Sequence, residues 1–180
     1  GGENGVLKCK ARTVYDGRSE HQLAQSRGEQ LDGFVATSRN GTSKCQFANA
    51  AVKSRRCRQF DVEAAYLQGV KEDGQPTCYA RPPPHSPTGT RFRTYDERNV
   101  PIVWELKGEL YGKVTAGKTW NATAVKQLVG KQAFSQSQYD PSYFFKILAD
   151  GTHMDLTLYV DDAIVTDAHS PLADIEVKHF

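Results

Sequence analysis

The last third of the chain constrains the fold more tightly than any other stretch. Tyr143 to Leu148 and His153 to Val160 are apolar, β-prone runs separated by Ala149-Asp150-Gly151-Thr152. Asp-Gly between two such runs is the strongest short-range signal for a hairpin. A further run, Ala163-Ile164-Val165-Thr166, follows Asp161-Asp162 after a two-residue gap and predicts a second hairpin with both aspartates at its tip. Ser170-Pro171 then predicts a helix start, with Ser as N-cap and Pro in the first turn.

Two adjacent carboxylates at such a tip need a compensating charge. Unit charges about 4 Å apart repel by about 1 kcal/mol in water and by more where solvent is excluded. The flanks Leu156-Thr157-Leu158-Tyr159-Val160 and Ala163-Ile164-Val165 are apolar, which places the pair on a buried hairpin rather than a solvated turn. A divalent cation is the natural partner, and oxygen-only ligands suit magnesium. Phe60-Asp61-Val62 reads as the end of another strand, so Asp61 supplies a third carboxylate. Two ions about 4 Å apart can clamp the attacking and leaving oxygens of an in-line phosphoryl displacement.

The rest of the chain is less legible. Residues 1 to 59 are polar and weakly periodic, apart from a strand-like alternation over Val6–Tyr15. Gly28 to Lys44 reads as loop, and Lys53-Ser54-Arg55-Arg56-Cys57-Arg58 is a basic cluster suited to solvent or to phosphate. Glu63 to Leu67 predicts a short helical turn stopped by Gly69. Residues 81–99 read as a long, mobile loop. Between Thr115 and Gln132, Trp120, Ala124, Val125, Leu128 and Val129 fall on one helical face and predict a core-facing helix.

Composition limits the classes available. Leu, Ile, Val and Phe make up about 21% of the 180 residues, a thin core. The net charge of +2 adds little self-repulsion and permits a polyanionic partner. No run approaches the 18 or so apolar residues of a membrane span. Cys9, Cys45, Cys57 and Cys78 have no C-x-x-C spacing and read as reduced thiols. The sole methionine is Met154, so the chain reads as an internal piece of a longer polypeptide.

Several motifs resemble those of one family. Tyr159-Val160-Asp161-Asp162 resembles the YVDD box of reverse transcriptases, and Phe60-Asp61-Val62-Glu63-Ala64-Ala65-Tyr66-Leu67-Gln68-Gly69 resembles their first aspartate motif in its copia-type form. Leu110-Tyr111-Gly112 with Ala116-Gly117-Lys118-Thr119-Trp120 is similar to the copia-type LYG…W segment. Tyr79 with Arg81-Pro82-Pro83 is similar to its Y…PP stretch, and Lys10-Ala11-Arg12 to its KAR opening. The landmarks run in family order from about Val6 to Phe180.

The resemblance implies an α+β polymerase palm, a ferredoxin-like antiparallel sheet with helices on one face, plus partial fingers, with thumb and RNase H absent. Residues 1–59 would be the partial fingers, 60–168 the palm and 169–180 the start of a truncated helix. It implies RNA-directed DNA polymerisation within a copia-type retrotransposon. Asp61, Asp161 and Asp162 would be catalytic and would hold two Mg2+ ions, for which Mn2+ can substitute. Tyr66 would be a steric gate against the ribose 2′-hydroxyl, and Lys10, Arg12 and Gly112 would lie at the nucleotide. Implied partners are an RNA or DNA template–primer, deoxynucleoside triphosphates and the integrase and RNase H parts of the polyprotein, with no membrane. The implied setting is a cytoplasmic particle or the nucleus.

Departures from the pattern leave other readings open. Lys113-Val114-Thr115 stands where the family usually reads Leu-Lys-Gln, and the absent Gln is expected to help place nucleotide and template. An inactive retroelement relic, or a nucleic-acid-binding remnant, is therefore an alternative. Gly112 to Thr119 also satisfies the P-loop pattern G-x-x-x-x-G-K-T, the mark of a nucleotide hydrolase if it follows a buried parallel strand and opens a helix.

Overall fold

The computed structural model of the chain describes residues 14–33, 35–71, 77–82, 85 and 91–178. In chain order the elements are α1 (Gly17–Ser26), α2 (Asn40–Val52), β1 (Arg56–Asp61), β2 (Cys78–Ala80), β3 (Trp104–Leu106), α3 (Ala116–Val125), β4 (Ser135–Gln136), β5 (Tyr143–Ile147), β6 (His153–Tyr159), β7 (Asp162–Asp167) and α4 (Pro171–Val177). The fold is α+β. Its main sheet has five strands in the order β1-β7-β6-β5-β4, every neighbouring pair antiparallel. β2 and β3 form a separate antiparallel pair. No helix among the described residues is long and apolar enough to cross a membrane.

Both hairpins predicted in the last third are present. β5 and β6 pair from Tyr143↔Thr157 to Ile147↔His153, and Gly151 supplies the positive φ of the connection, +79°. The second hairpin turns one residue earlier than expected. Tyr159 pairs with Asp162, so Val160 and Asp161 form the turn and Asp162 already belongs to β7. This register needs Val160 at φ +56°, a region that a β-branched residue rarely enters. Ser170 caps α4 as predicted, its Oγ accepting from the Leu172 N–H at 3.2 Å.

Alternation along the strands decides which face is core. Phe144, Met154, Leu156, Leu158, Ala163 and Val165 point to one face and pack with Trp120, Ala124, Leu128, Phe134 and Ala173. After Val125 the helix widens into a π-turn over Lys126–Lys131, marked by the Gln132 N–H donating to the Gln127 carbonyl. The change of winding keeps Leu128 buried but leaves Val129 exposed, which corrects its predicted place on the apolar stripe.

The opposite face is covered too, so the expectation of helices on one face is corrected. Thr157 and Thr166 point away from Leu156 and Val165, yet both are buried, because α2 lies over them. The contact is polar. Gln46 accepts from Thr157 Oγ1 at 2.5 Å and donates to the Asp155 and Ile164 carbonyls at 3.2 Å. Asp140, also buried, receives the Arg39 N–H at 3.0 Å and Thr42 Oγ1 at 2.5 Å, so it caps from a distance a helix start that has no side-chain cap of its own. A hydrophobicity pattern cannot reveal a helix docked by an amide and a carboxylate. α2 therefore begins inside the stretch read as loop, and α1 was missed with it. Of the strand expected over Val6–Tyr15, residues 6–13 lie outside the described residues.

The three arginines of the basic cluster are committed to carboxylates, whereas Lys53 is exposed. Arg55 pairs with Asp155 at 2.5 Å with both side chains buried, and the Tyr143 hydroxyl donates to the same carboxylate at 2.7 Å. Burial and then Asp155 push the Tyr143 phenol well above its ordinary value. Arg56 reaches Asp167 at 2.6 Å and Asp174 at 2.9 Å, and Arg58 pairs with the same two residues.

Two stability predictions follow from the docking of α2. Gln46→Ala strands Thr157 Oγ1 in a buried site and is expected to cost about 1–3 kcal/mol, read as a lower urea midpoint at unchanged slope. Burial alone would raise the Asp140 carboxyl, but hydrogen bonds from Thr42, Arg39 and Ser142 outweigh it and hold the group below its ordinary value. Its stabilisation is thus fully present above the unfolded carboxyl range, about pH 4, and is lost as pH falls through the lower folded value. Thermal melts below pH 4 should fall less steeply for Asp140→Asn than for the wild type.

Candidate active site

β1 joins the sheet edge beside β7, and its register runs from Arg56↔Asp167 to Asp61↔Asp162. The Val62 N–H donates to the Asp161 carbonyl at 2.7 Å, so residues 62 and 161 face each other as a hydrogen-bonded pair. Asp61 and Asp162 are therefore the next, non-hydrogen-bonded pair, whose Cα atoms approach to about 4.5 Å with side chains on the same face. Asp161 lies in the adjoining turn. The backbone thus gathers at one sheet end the three aspartates singled out in the sequence.

Like charges directly opposite across two strands destabilise a sheet. Elsewhere the protein neutralises its sheet carboxylates: Asp155 by Arg55, and Asp167 by Arg56 and Arg58. No such pairing is found here. Asp162 accepts from Gln59 Nε2 at 3.1 Å, and no described lysine or arginine pairs with Asp61, Asp161 or Asp162. Among the described residues no three acidic, His or Cys side chains converge into a ready-made metal cage.

The segment after β1 turns at Val62 into a 3-10 helix over Ala65–Gln68, as predicted for the turn before Gly69. It brings the half-buried Tyr66 ring to Tyr111, centroid to centroid 5.1 Å at 56°. Burial, followed by the Asp161 carboxylate and then Tyr111 and Tyr159, holds the Tyr66 phenol above its ordinary value. Tyr66 therefore lies within electrostatic reach of Asp161.

Gly112 follows Tyr111 in a crossing too tight for any side chain. Its φ is +91°, and a Cβ there would meet the Tyr15 carbonyl oxygen at 2.1 Å. Beside it Lys113 and Glu109 form a buried pair at 2.9 Å. Burial lowers the Lys113 ammonium, but the hydrogen bond and charge of Glu109 prevail and hold it above its ordinary value. Thr115 and Thr119 hydroxyls add to the same Glu109 carboxylate at 3.2–3.4 Å. Lys118 pairs with Asp32 at 2.8 Å. The Gly112–Thr119 stretch follows no strand of the main sheet, and that sheet is antiparallel, so it lacks the setting a P-loop requires.

Lys10 and Arg12 lie outside the described residues. Three neighbours escaped the sequence reading of the site: Gln59, Tyr111 and Trp120. Trp120 carried a signal, because an indole on an apolar stripe still needs an acceptor for its N–H. It donates to the Val160 carbonyl at 2.6 Å.

A sequence model described as reverse transcriptase (RNA-dependent DNA polymerase) matches residues 3–178. The putative transposon Ty5-1 protein of Saccharomyces cerevisiae is 30% identical over 119 residues, covering 66% of this chain and 34% of the yeast protein. The chain thus spans about a third of that relative's length. No solved structure matches it significantly. With its motifs in order along nearly the whole match, the chain belongs to the reverse transcriptase (RNA-dependent DNA polymerase) family, in its copia-type retrotransposon form.

Proposed function

We propose that this chain carries the nucleotidyl-transfer centre of an RNA-directed DNA polymerase, its main sheet serving as palm and Asp61, Asp161 and Asp162 as the catalytic carboxylates. The observation that carries the reading is the direct opposition of Asp61 and Asp162 beside Asp161, with no described cation to neutralise them. A protein that pairs off its other sheet carboxylates retains such repulsion where a ligand relieves it. The donor set is all oxygen and fits magnesium or manganese. When bound, two such ions would supply stabilisation of charge on the primer 3′-oxygen and on the departing pyrophosphate.

The side chains divide the work. Asp61 and Asp161 would be the firmer ligands, with Asp162 tethered by Gln59. The Tyr66 ring, braced by Tyr111, would stand where a ribose 2′-hydroxyl must go and so favour deoxynucleotides by exclusion. Template–primer duplex and deoxynucleoside triphosphates are the expected partners, and the remaining polyprotein would supply further phosphate contacts, on whose number affinity depends.

One observation favours reduced activity as a second reading. Thr115, standing where the resemblance expects Gln, turns its hydroxyl inward to Glu109 and so offers the nucleotide nothing.

Primer extension on an RNA template with magnesium or manganese separates the two. Template-dependent incorporation should fall at least about 100-fold in Asp161→Asn, the scale set by loss of a preorganised electrostatic group, with Lys118→Ala unaffected. No extension by the wild type at any metal concentration sinks the polymerase reading and leaves the relic. Tyr66→Ala is expected to raise ribonucleotide over deoxynucleotide incorporation by about 10- to 200-fold, measured as a ratio of kcat/KM values.

A further inference from the structure

The turn that carries Asp161 is an improbable one. Two-residue hairpin loops require positive φ at their first position and favour Gly, Asn or Asp there. This chain has Val160 at φ +56°. The register is also consequential, because slipping one residue would send every β7 side chain to the other face and carry Asp162 toward the core. Something outside the hairpin must select this turn.

Both turn carbonyls are held from outside. That of Asp161 accepts from the Val62 N–H of the chain leaving β1 at 2.7 Å, and that of Val160 accepts from Trp120 Nε1 at 2.6 Å. Trp120 is buried in the core cluster, so its ring has little freedom and its N–H comes from a fixed direction. The same helix secures the segment bearing Tyr66. The Val70 N–H donates to Thr123 Oγ1 at 2.9 Å, and a Cβ on Gly69 would meet the Trp120 nitrogen at 3.2 Å. α3 therefore touches both the tyrosine-bearing segment and the aspartate-bearing turn.

We propose that Trp120 is a positioning residue whose indole N–H holds the Val160–Asp161 turn in the register that sets Asp161 beside Asp61 and Tyr66. The inference rests on the polymerase reading for its purpose, though not for its geometry. A Trp120 that merely fills the core would act through ring volume. A tether acts through one hydrogen bond, and relief of the turn should make that bond dispensable.

The test uses Trp120→Phe, alone and combined with Val160→Gly, which accepts positive φ without penalty. In the metal-free chain, amide exchange at Val160 to Ala163 should quicken about tenfold in Trp120→Phe, while the Asp150–Thr152 turn stays unchanged. Adding Val160→Gly should restore it. With Mn2+ alone as probe, broadening of the Asp61 and Asp161 amides should need roughly fivefold more metal in Trp120→Phe and return toward wild type in the double variant. Unchanged exchange in Trp120→Phe, or no rescue by Val160→Gly, overturns the tether. Absence of Mn2+ broadening in the wild type sinks the metal-site reading instead, and the exchange data still decide the role of Trp120.

Discussion

The antiparallel ladder between β1 and β7 carries opposite electrostatics at its two ends, and the arrangement of the molecule follows from that contrast. At one end Arg56 and Arg58 enclose the fully buried Asp167 and reach on to Asp174 of α4. Removing either arginine would leave a buried charge short of a partner, so this end is fixed firmly. Because a ladder is rigid in register, fixing Arg56 against Asp167 also fixes Asp61 against Asp162 at the other end. The ion pairs at one end thus share in setting the register that opposes the two carboxylates at the other. A region designed only for stability would have placed a lysine or a threonine at one of those positions.

The second constraint is the polar seam beneath α2. Gln46 lies among groups that each need a partner, namely Thr157, Thr166 and two strand carbonyls. Such a contact contributes less net stabilisation than an apolar one of equal area, yet it tolerates only one seating of the helix, since any shift strands several buried groups. Arg55 and Tyr143 on Asp155 extend the same logic along the sheet. A chain with few large aliphatic residues thus obtains a defined two-sided sheet by matching donors to acceptors.

These two features explain what was legible in the sequence. Elements held by apolar alternation were readable: β5, β6, β7, the capped α4 and the Trp120 face of α3. The three aspartates were readable as a group because acid at the end of an apolar run is costly enough to need a reason. α2 was not readable, because its buried residues are only Gln46 and the small Ala50, and its start is held through the Thr42 hydroxyl, so no apolar stripe marks it. α1 offered Asp16 as a cap and Gly28 just past its end, yet Leu23 and Ala24 are the only apolar side chains between them. The one-residue error in the second hairpin has a physical source as well. Local turn preferences favour Asp over Val at positive φ, and it takes Trp120 and Val62, 40 and 99 residues away in sequence, to reverse the choice.

The P-loop pattern shows the same limit from the other side. Gly112 to Thr119 has the right letters, but a phosphate cradle needs backbone N–H groups aimed outward at the start of a helix that follows a parallel strand. Here the Val114 N–H is bound to Glu20, Lys113 is closed onto Glu109, and Lys118 reaches Asp32. The donors a nucleotide would use are already committed to holding residues 14–33 against the start of α3. Of the residues that complete the motif in letters, Lys118 pairs with exposed Asp32, and the Thr119 hydroxyl donates to the buried Glu109 that Lys113 neutralises. Spacing proposes a chemistry, and whether it can operate depends on which of its groups remain unspent once the chain has folded. By that measure, among the described residues, the acids at the end of β1 and β7 lack a cationic partner, whereas Lys113 and Lys118 of the Gly112–Thr119 segment already have acidic ones.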